Sequence, residues 1–317
     1  MIDVVALGEL LIDFTMLSAD AGGYPTMAAH PGGAPANFLA ALAKFGKKTA
    51  LLGKIGTDKF GRLLKNTLEE AGIDTRGLIG ADDVFTTLAC VTLDETGDRE
   101  FSFARKPGAD TCLRFEEIDL SMIDEAKVFH FGTLSLTDEP ARSATQQAVA
   151  YAKARGKLIT YDPNLRKPLW KSAETAKEQM LWGLAQADVV KISDEEVEFL
   201  FGMRPEDGAK HILENYGVKL VFVTCGADGC FYSSGAVSGK VPALSGIQVV
   251  DTTGAGDIFG GSAVYGLLET GKAPEALTKD ELEAIVRFAC TAAGLSTKRH
   301  GGISSVPALE DVTRSMG

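Results

Sequence analysis

Short apolar runs and segments of helical period take turns along this chain. Val4 to Leu7 predicts a strand, and Pro35 to Phe45 predicts a helix with proline in its first turn, Phe38, Leu39, Leu42 and Phe45 on one stripe and Gly46 as its stop. Thr49 to Ile55 predicts the next strand and Phe60 to Ala71 the next helix, closed by Gly72. The rhythm returns with strand Val128 to Phe131, a helix near Ala141 to Ala154, and strands Leu158 to Tyr161, Val189 to Ile192 and Leu220 to Val223. Strands spaced by helices in this way mean βαβ units, so an α/β fold with a mainly parallel sheet covered on both faces is expected.

One stretch departs from the rhythm. Thr86 to Leu93 and Arg99 to Arg105 are two extended runs joined by Asp94-Glu95-Thr96-Gly97-Asp98, which predicts a β-hairpin. Together with the Tyr24 to His30 region it would make a small lid, and a hairpin that extends the main sheet explains the same pattern. No linker, repeat or low-complexity tract divides the chain, so residues 1–317 are read as one domain with lid segments near 14–32 and 86–111.

Composition narrows the classes. With a net charge of −11 the chain lacks the basic face that nucleic acid or an anionic membrane requires, and neither is expected as a partner. No long apolar span appears and Met1-Ile2-Asp3-Val4 is not a signal-peptide start, so a cytoplasmic location is expected. Five cysteines without a CxxC pair, and four scattered histidines, argue against a disulfide framework or a zinc site.

The candidate chemistry begins at Asp251-Thr252-Thr253-Gly254-Ala255-Gly256-Asp257, ahead of a helical run from Ile258 to Leu268. Small residues before a helix start let backbone N–H groups and the helix dipole meet an anion the size of a phosphate. Asp257 would then stand where a carboxylate takes a proton from an attacking hydroxyl, beside the amides of Ala255 and Gly256. Standing alone, the segment is equally a helix-start acid with two turn glycines. Gly266 to Ala273 has Walker A spacing, but alanine replaces its Ser or Thr and it lies at a helix end, so Gly271 is read as a helix stop. No GxGxxG follows a strand, which disfavours a nicotinamide oxidoreductase. Near the start, Asp13 and Pro31-Gly32-Gly33-Ala34-Pro35-Ala36-Asn37 place a carboxylate, two glycines and an amide where hydroxyls of a polyol would be held.

Taken together, Gly32 to Asn37 and Asp251 to Asp257 resemble the two signatures of the ribokinase-like (PfkB) sugar kinases. Lys54 to Gly61 and Val223 to Gly229 resemble further stations of that family in the same order, so the likeness runs over essentially the whole chain. It implies a ribokinase-like fold with a β lid, and ATP-dependent phosphorylation of a sugar with Mg²⁺. Phe103 to Asp110 and Asp162-Pro163-Asn164-Leu165-Arg166 look most like fructokinases.

By this resemblance Asp257 is the base, and Gly254, Ala255 and Gly256 form the anion hole. Asp13, Gly32, Gly33, Asn37, Arg105 and Arg166 line the sugar pocket, and Ser193, Thr224, Gly226 and Gly229 face the nucleotide. The family often has Asn-x-x-Glu where this chain has Ser193-Asp194-Glu195-Glu196, with Glu196 helping to place Mg²⁺ through water; Ser-x-x-Glu is also a helix capping box. Cys290 falls near the family's adenine pocket and reads as a packing residue. Asp251, Thr253 and Ser305 match a loop that holds a monovalent cation such as K⁺ in many relatives. A 2-keto-3-deoxygluconate kinase, with Arg105 and Arg166 on a carboxylate, is the alternative within the family. A sugar sensor without catalysis is the alternative outside it. Relatives often dimerise through the lid, and the alternation in Thr87 to Leu93 is compatible with a homodimer.

Overall fold

The computed structural model describes residues 1–93 and 99–316, and side chains outside 91–101. In chain order the strands and helices are β1 (Ile2–Leu7), β2 (Leu11–Ala19), β3 (Pro25–Gly32), α1 (Ala34–Lys44), β4 (Thr49–Gly56), α2 (Lys59–Glu70), β5 (Ile73–Asp74), β6 (Leu78–Ala81), β7 (Leu88–Leu93) and β8 (Arg99–Ala104). There follow α3 (Leu120–Glu125), β9 (Ala126–Gly132), α4 (Ala141–Ala154), β10 (Leu158–Asp162), α5 (Ala173–Gln186), β11 (Val189–Ser193), α6 (Asp194–Phe201), α7 (Pro205–Tyr216) and β12 (Leu220–Thr224). The last are β13 (Cys230–Ser233), β14 (Ser238–Val241), α8 (Ala255–Thr270), α9 (Lys279–Ser296) and α10 (Leu309–Ser315). None of these helices is long and apolar enough to cross a membrane.

The main sheet runs β14-β13-β12-β11-β10-β9-β1-β4-β5, with β6 also on β4. All its pairings are parallel except β12 with β13 and β13 with β14, which turn back at one edge. Val4, Val5, Ala6 and Leu7 are all buried, as are Val189, Val190 and Ile192, because helices cover both faces of a parallel sheet and leave no side for water. Consecutive strands lie side by side from β9 to β12, whereas β1 sits between β9 and β4. The carboxyl ends of these strands open onto a crevice beside this switch in connection order, where α/β sheets bind ligands.

The predicted elements stand with their ends adjusted by up to three residues, the most at α8, which starts at Ala255 instead of Ile258. The choice left open by the hairpin is decided: β7 and β8 do not extend the main sheet. They join β2 and β3 in a separate four-stranded sheet of order β3-β2-β7-β8. β2 pairs antiparallel with β3 (Asp13 opposite His30) and parallel with β7 (Asp13 opposite Ala89). The periodicity did not show β2 and β3 as strands, since their apolar positions thin out toward an exposed tip and a register shift falls between Met16 and Ser18. The predicted turn at Asp94 to Asp98 lies outside the described residues. Gly271 ends α8 in the left-handed region, φ 64°, as a helix stop should.

Candidate active site

α8 is buried along most of its length, and α1 packs directly on it. Gly261 makes this approach feasible: a Cβ there would stand 2.3 Å from the Phe38 carbonyl oxygen, so any larger residue would push the two helices apart. The approach brings together residues 220 positions apart in sequence. Asn37 Nδ2 donates to Asp257 Oδ2 at 2.9 Å. Asp257 is only 8% exposed, and burial raises the pKa of its carboxyl against the opposing pull of Asn37, Lys191 and Arg166. Asn37 Oδ1 is buried and has no hydrogen-bond partner, leaving an acceptor open beside Asp257.

Gly254 caps α8 with φ 75°, and a Cβ on it would meet Gly302 Cα at 2.8 Å. The first bond of the helix runs from Ile258 N to Gly254 O at 2.8 Å. The Ala255 amide donates to Thr252 O at 3.2 Å, and the first turn of the helix leaves the amides of Gly256 and Asp257 without a partner inside the helix. Across from Gly256 lies Lys191, in the middle of β11 and 11% exposed along its side chain. Its Nζ pairs with Asp162 Oδ2 at 3.0 Å, and a Cβ added to Gly256 would stand 3.0 Å from that same nitrogen. Burial drives the Asp162 carboxyl up to about 7, while the surrounding carboxylates of Asp162, Glu196 and Asp257 keep Lys191 charged. Beside this pair His130 stacks on Phe38, ring centroids 3.7 Å apart, and burial lowers its pKa to about 3, so it fills space as a neutral ring.

Asp13 lies at the root of β2, in electrostatic reach of Arg166, Asp257 and Asp251, and burial raises its pKa to about 6. Gly32 is glycine because of it: a Cβ would fall 2.2 Å from Asp13 Oδ2. Gly33, at φ 121°, caps α1 with its Cα against the Glu9 carbonyl. Glu9 was not singled out from the sequence. It is buried, accepts from the Ala34 amide at 2.8 Å, and burial lifts its pKa to about 7.

The two arginines differ. Arg105 is buried and held inside the protein: Nε and Nη2 bind Asp110, Nη1 donates to Thr137 Oγ1 and Nη2 to Leu134 O, each at 2.7–2.8 Å. These contacts take four of its five N–H donors and tie the end of β8 to the body. Arg166 is half-buried, donates only to Leu165 O at 3.2 Å, and no carboxylate among the described residues lies within ion-pair distance of it. Its charge faces Asp13 and Asp257.

On the nucleotide side, Ser193 and Glu196 form the expected capping box of α6. Glu196 Oε2 accepts from Ser193 N at 2.8 Å and Oε1 from Leu165 N at 2.7 Å, so each oxygen keeps one lone pair. Thr224 closes β12, and Gly226 follows with φ 51°. Gly229 is explained by packing rather than by a ligand: at φ 90° its Cβ would fall 2.1 Å from Val241 O. Cys290 is buried and its thiol is pushed up to about 12, an inert packing residue. Asp251 gathers the helix-start loop and the 301–305 loop: Oδ1 accepts from Thr253 N and Oγ1, and Oδ2 from Gly301 N at 3.1 Å. Ser305 Oγ donates to Gly302 O at 2.8 Å in the same junction.

Lys191, Asp162 and Glu9 are the site residues that sequence reasoning passed over. Lys191 had a signal, being a lone charge inside an apolar run, Val189 to Ile192, that must lie in a doubly covered sheet. Glu9 had none beyond its place at a strand end.

Comparison with known proteins identifies the family and the fold. The model of the pfkB family carbohydrate kinases matches residues 1–309. Fructokinase-2 of Solanum lycopersicum is 40% identical over 313 residues, covering 97% of this chain and 94% of that protein. Among solved structures, the fructokinase with bound ATP from Xylella fastidiosa superposes with a TM-score of 0.91 at 30% identity, covering 99% of this chain and 98% of that one. A fructokinase double mutant from Vibrio cholerae, in a form with fructose, ADP and potassium ion bound, superposes with a TM-score of 0.88 at 29% identity, over 100% of this chain and 99% of the other. With its signatures joined at one buried carboxylate and its whole length matched, the chain belongs to the pfkB family of carbohydrate kinases, on a ribokinase-like fold.

Proposed function

We propose that this protein is a fructokinase, transferring the γ-phosphoryl group of ATP to the 6-hydroxyl of fructose. The observation that carries the proposal is the buried Asp257 carboxylate, held by Asn37 at 2.9 Å on the first turn of a helix whose amides face outward, with Asp13 across the crevice. Asp257 accepts the proton of the attacking hydroxyl while the amides of Gly256 and Asp257 bind oxygens of the transferred group. Asp13 and the open Asn37 oxygen accept sugar hydroxyls, and Arg166 supplies positive charge. Gly32 and Gly33 let the lid root approach closely, and the lid excludes water that would otherwise take the phosphoryl group.

The donor set fits Mg²⁺ through water. Glu196 has a lone pair free on each oxygen, and among the described residues no cluster of three or more ligating side chains stands ready to hold a bare ion. Bound with ATP, Mg²⁺ neutralises phosphate charge; Glu196 and Ser193 orient its water shell. Asp251, Thr253 and Ser305 brace a junction rich in carbonyls where K⁺ would sit. Thr224 and Gly226 face the ribose and phosphates. We place the chain in the cytoplasm as one kinase domain with a lid. The exposed Met16, Leu17 and Tyr24 on the lid would be covered in a homodimer, which the molar mass in solution tests.

A second reading has its own support. The unpaired Arg166 guanidinium suits a carboxylate, as in 2-keto-3-deoxygluconate. ADP release with ATP-Mg²⁺ across fructose, glucose, ribose, adenosine and 2-keto-3-deoxygluconate, with and without K⁺, separates the two. Selective turnover with fructose is expected. Preference for the keto acid would reassign the pocket, and no sugar-dependent release from folded protein would leave a binder without catalysis.

A further inference from the structure

We infer that Lys191 is a catalytic residue of the transfer step, donating from Nζ to an oxygen of the phosphoryl group in flight, and that Asp162 is the positioning residue that aims it. The inference rests on the kinase reading above. It begins with a conflict of like charges. The N-terminus of α8 carries partial positive charge, and Lys191 Nζ lies within about the same short reach of Gly256 at that terminus, 3.0 Å from where a Cβ would be. A cation and a positive helix end converging on one spot repel each other unless an anion comes between them.

The surrounding carboxylates of Asp162, Glu196 and Asp257 offset part of this repulsion, but they leave Lys191 short of partners. Glu196 is committed to the amides of Leu165 and Ser193, and Asp257 to Asn37. Asp162 receives Lys191 on both carboxylate oxygens, at 3.3 and 3.0 Å, and the Asn164 amide on Oδ1 at 3.2 Å. Asp162 is the one carboxylate within ion-pair distance of Lys191 among the described residues, which leaves a third ammonium donor on a nitrogen that lies beside Gly256 of α8. A buried pair of this kind is a poor way to stabilise a fold, since desolvation consumes most of the attraction and apolar residues would pack as well. Beside the pair is a cavity of about 20 Å³, lined among others by His130, Asp162 and Lys191, with room for roughly one water. In the transfer step the bond from the γ-phosphorus to the bridging oxygen of ADP breaks as the bond to the sugar oxygen forms. The hydroxyl proton goes to Asp257, and the charge on the equatorial oxygens is shared by the helix amides and Lys191.

The test uses full-length protein with three changes: Lys191→Met, Lys191→Arg and the double variant Lys191→Met/Asp162→Asn. Lys191→Met is expected to lower kcat about 10²-fold or more with the sugar KM within about threefold of wild type, and Lys191→Arg to recover part of the loss. The double variant removes both buried charges, so a purely structural pair would be repaired by it. Here it should fold and bind fructose as wild type does by calorimetry, yet stay as slow as Lys191→Met. A double variant regaining kcat to within about threefold of wild type would overturn the inference, as would a fast Lys191→Met. Affinity for ADP-Mg²⁺-aluminium fluoride with fructose should fall in Lys191→Met while affinity for ADP-Mg²⁺ alone holds; equal affinities would also overturn it. If wild type itself shows no sugar-dependent ADP release, the kinase reading fails. If wild type turns over and the variants match it, only the role of Lys191 fails.

Discussion

The body and the lid are both built on β-sheets, and they are held in place by different means. In the body, β1, β9, β10 and β11 are apolar on both sides and covered by helices, so the side chains at their carboxyl ends sit on a rigid platform. In the lid, β2 starts buried at Leu11 and Ile12 and ends in water, with Leu17 64% exposed. Its root is anchored by the Arg105 and Asp110 pair, the Glu9 contact to Ala34 and the close approach of Gly32 and Gly33. The groups proposed to do chemistry, Asp257, Lys191 and the helix amides, belong to the doubly covered sheet and the helices on it. Asp13, proposed to meet the sugar, belongs to the anchored root of the smaller sheet. Catalytic rate and sugar affinity should therefore respond to separate substitutions.

The largest effect expected is in the body. Asp257→Asn keeps the shape and the acceptor toward Asn37 but not the base, so steady-state kinetics should show kcat down about 10²-fold or more with fructose binding by calorimetry retained. Near wild-type turnover would move the base elsewhere. At the lid root, Gly32→Ala puts a methyl group 2.2 Å from the present place of Asp13 Oδ2 and must displace that carboxylate. The sugar KM should rise about tenfold with kcat and the ATP KM little changed. A fall in kcat alone would mean that lid and body are not separable in this way.

The smallest effect concerns stability at their junction. The Glu9 carboxyl in the folded protein is raised to about 7 from an ordinary 4.5, so between those values the native state binds more protons than the unfolded chain. Its contribution to stability is complete below the ordinary value and is lost as pH rises through about 7. Glu9→Gln keeps the acceptor for Ala34 without the buried charge. It should raise Tm by a few degrees at pH 8 and leave it nearly unchanged at pH 5; a lower Tm at pH 8 would show that the ionised form is needed, through Arg105. Asp13, raised to about 6, accepts a sugar hydroxyl more strongly when ionised, so kcat/KM should fall as pH drops through about 6.

Much of this architecture is legible in the order of residues. The apolar runs named the main parallel strands because a doubly covered strand has no polar face to confuse the pattern. Gly46 and Gly271 marked helix ends, since a left-handed residue is most easily glycine. The resemblance of two separate segments to the signatures of one kinase family brought Asn37 and Asp257 together. β2 and β3 were harder to see, because a sheet that covers a crevice needs little apolar surface beyond its root. The surroundings of Arg105 were hidden for a related reason: a fork of donors looks the same in sequence whether it is open to solvent or held by Asp110, Thr137 and Leu134.

What the chain determined by itself is local: where it extends, where it coils, where only glycine can turn it, and which residue types stand ready for phosphate and hydroxyl groups. Those follow from backbone sterics and periodic burial within a few residues. The tertiary structure alone decided which charges are buried together. Asp257 gains a raised pKa and its bond from Asn37, Lys191 a counter-ion, and Glu9 its sensitivity to pH only when strands far apart in sequence end at one crevice. Desolvation and Coulomb interaction depend on distance in space, and that distance exists only once the sheet has been assembled.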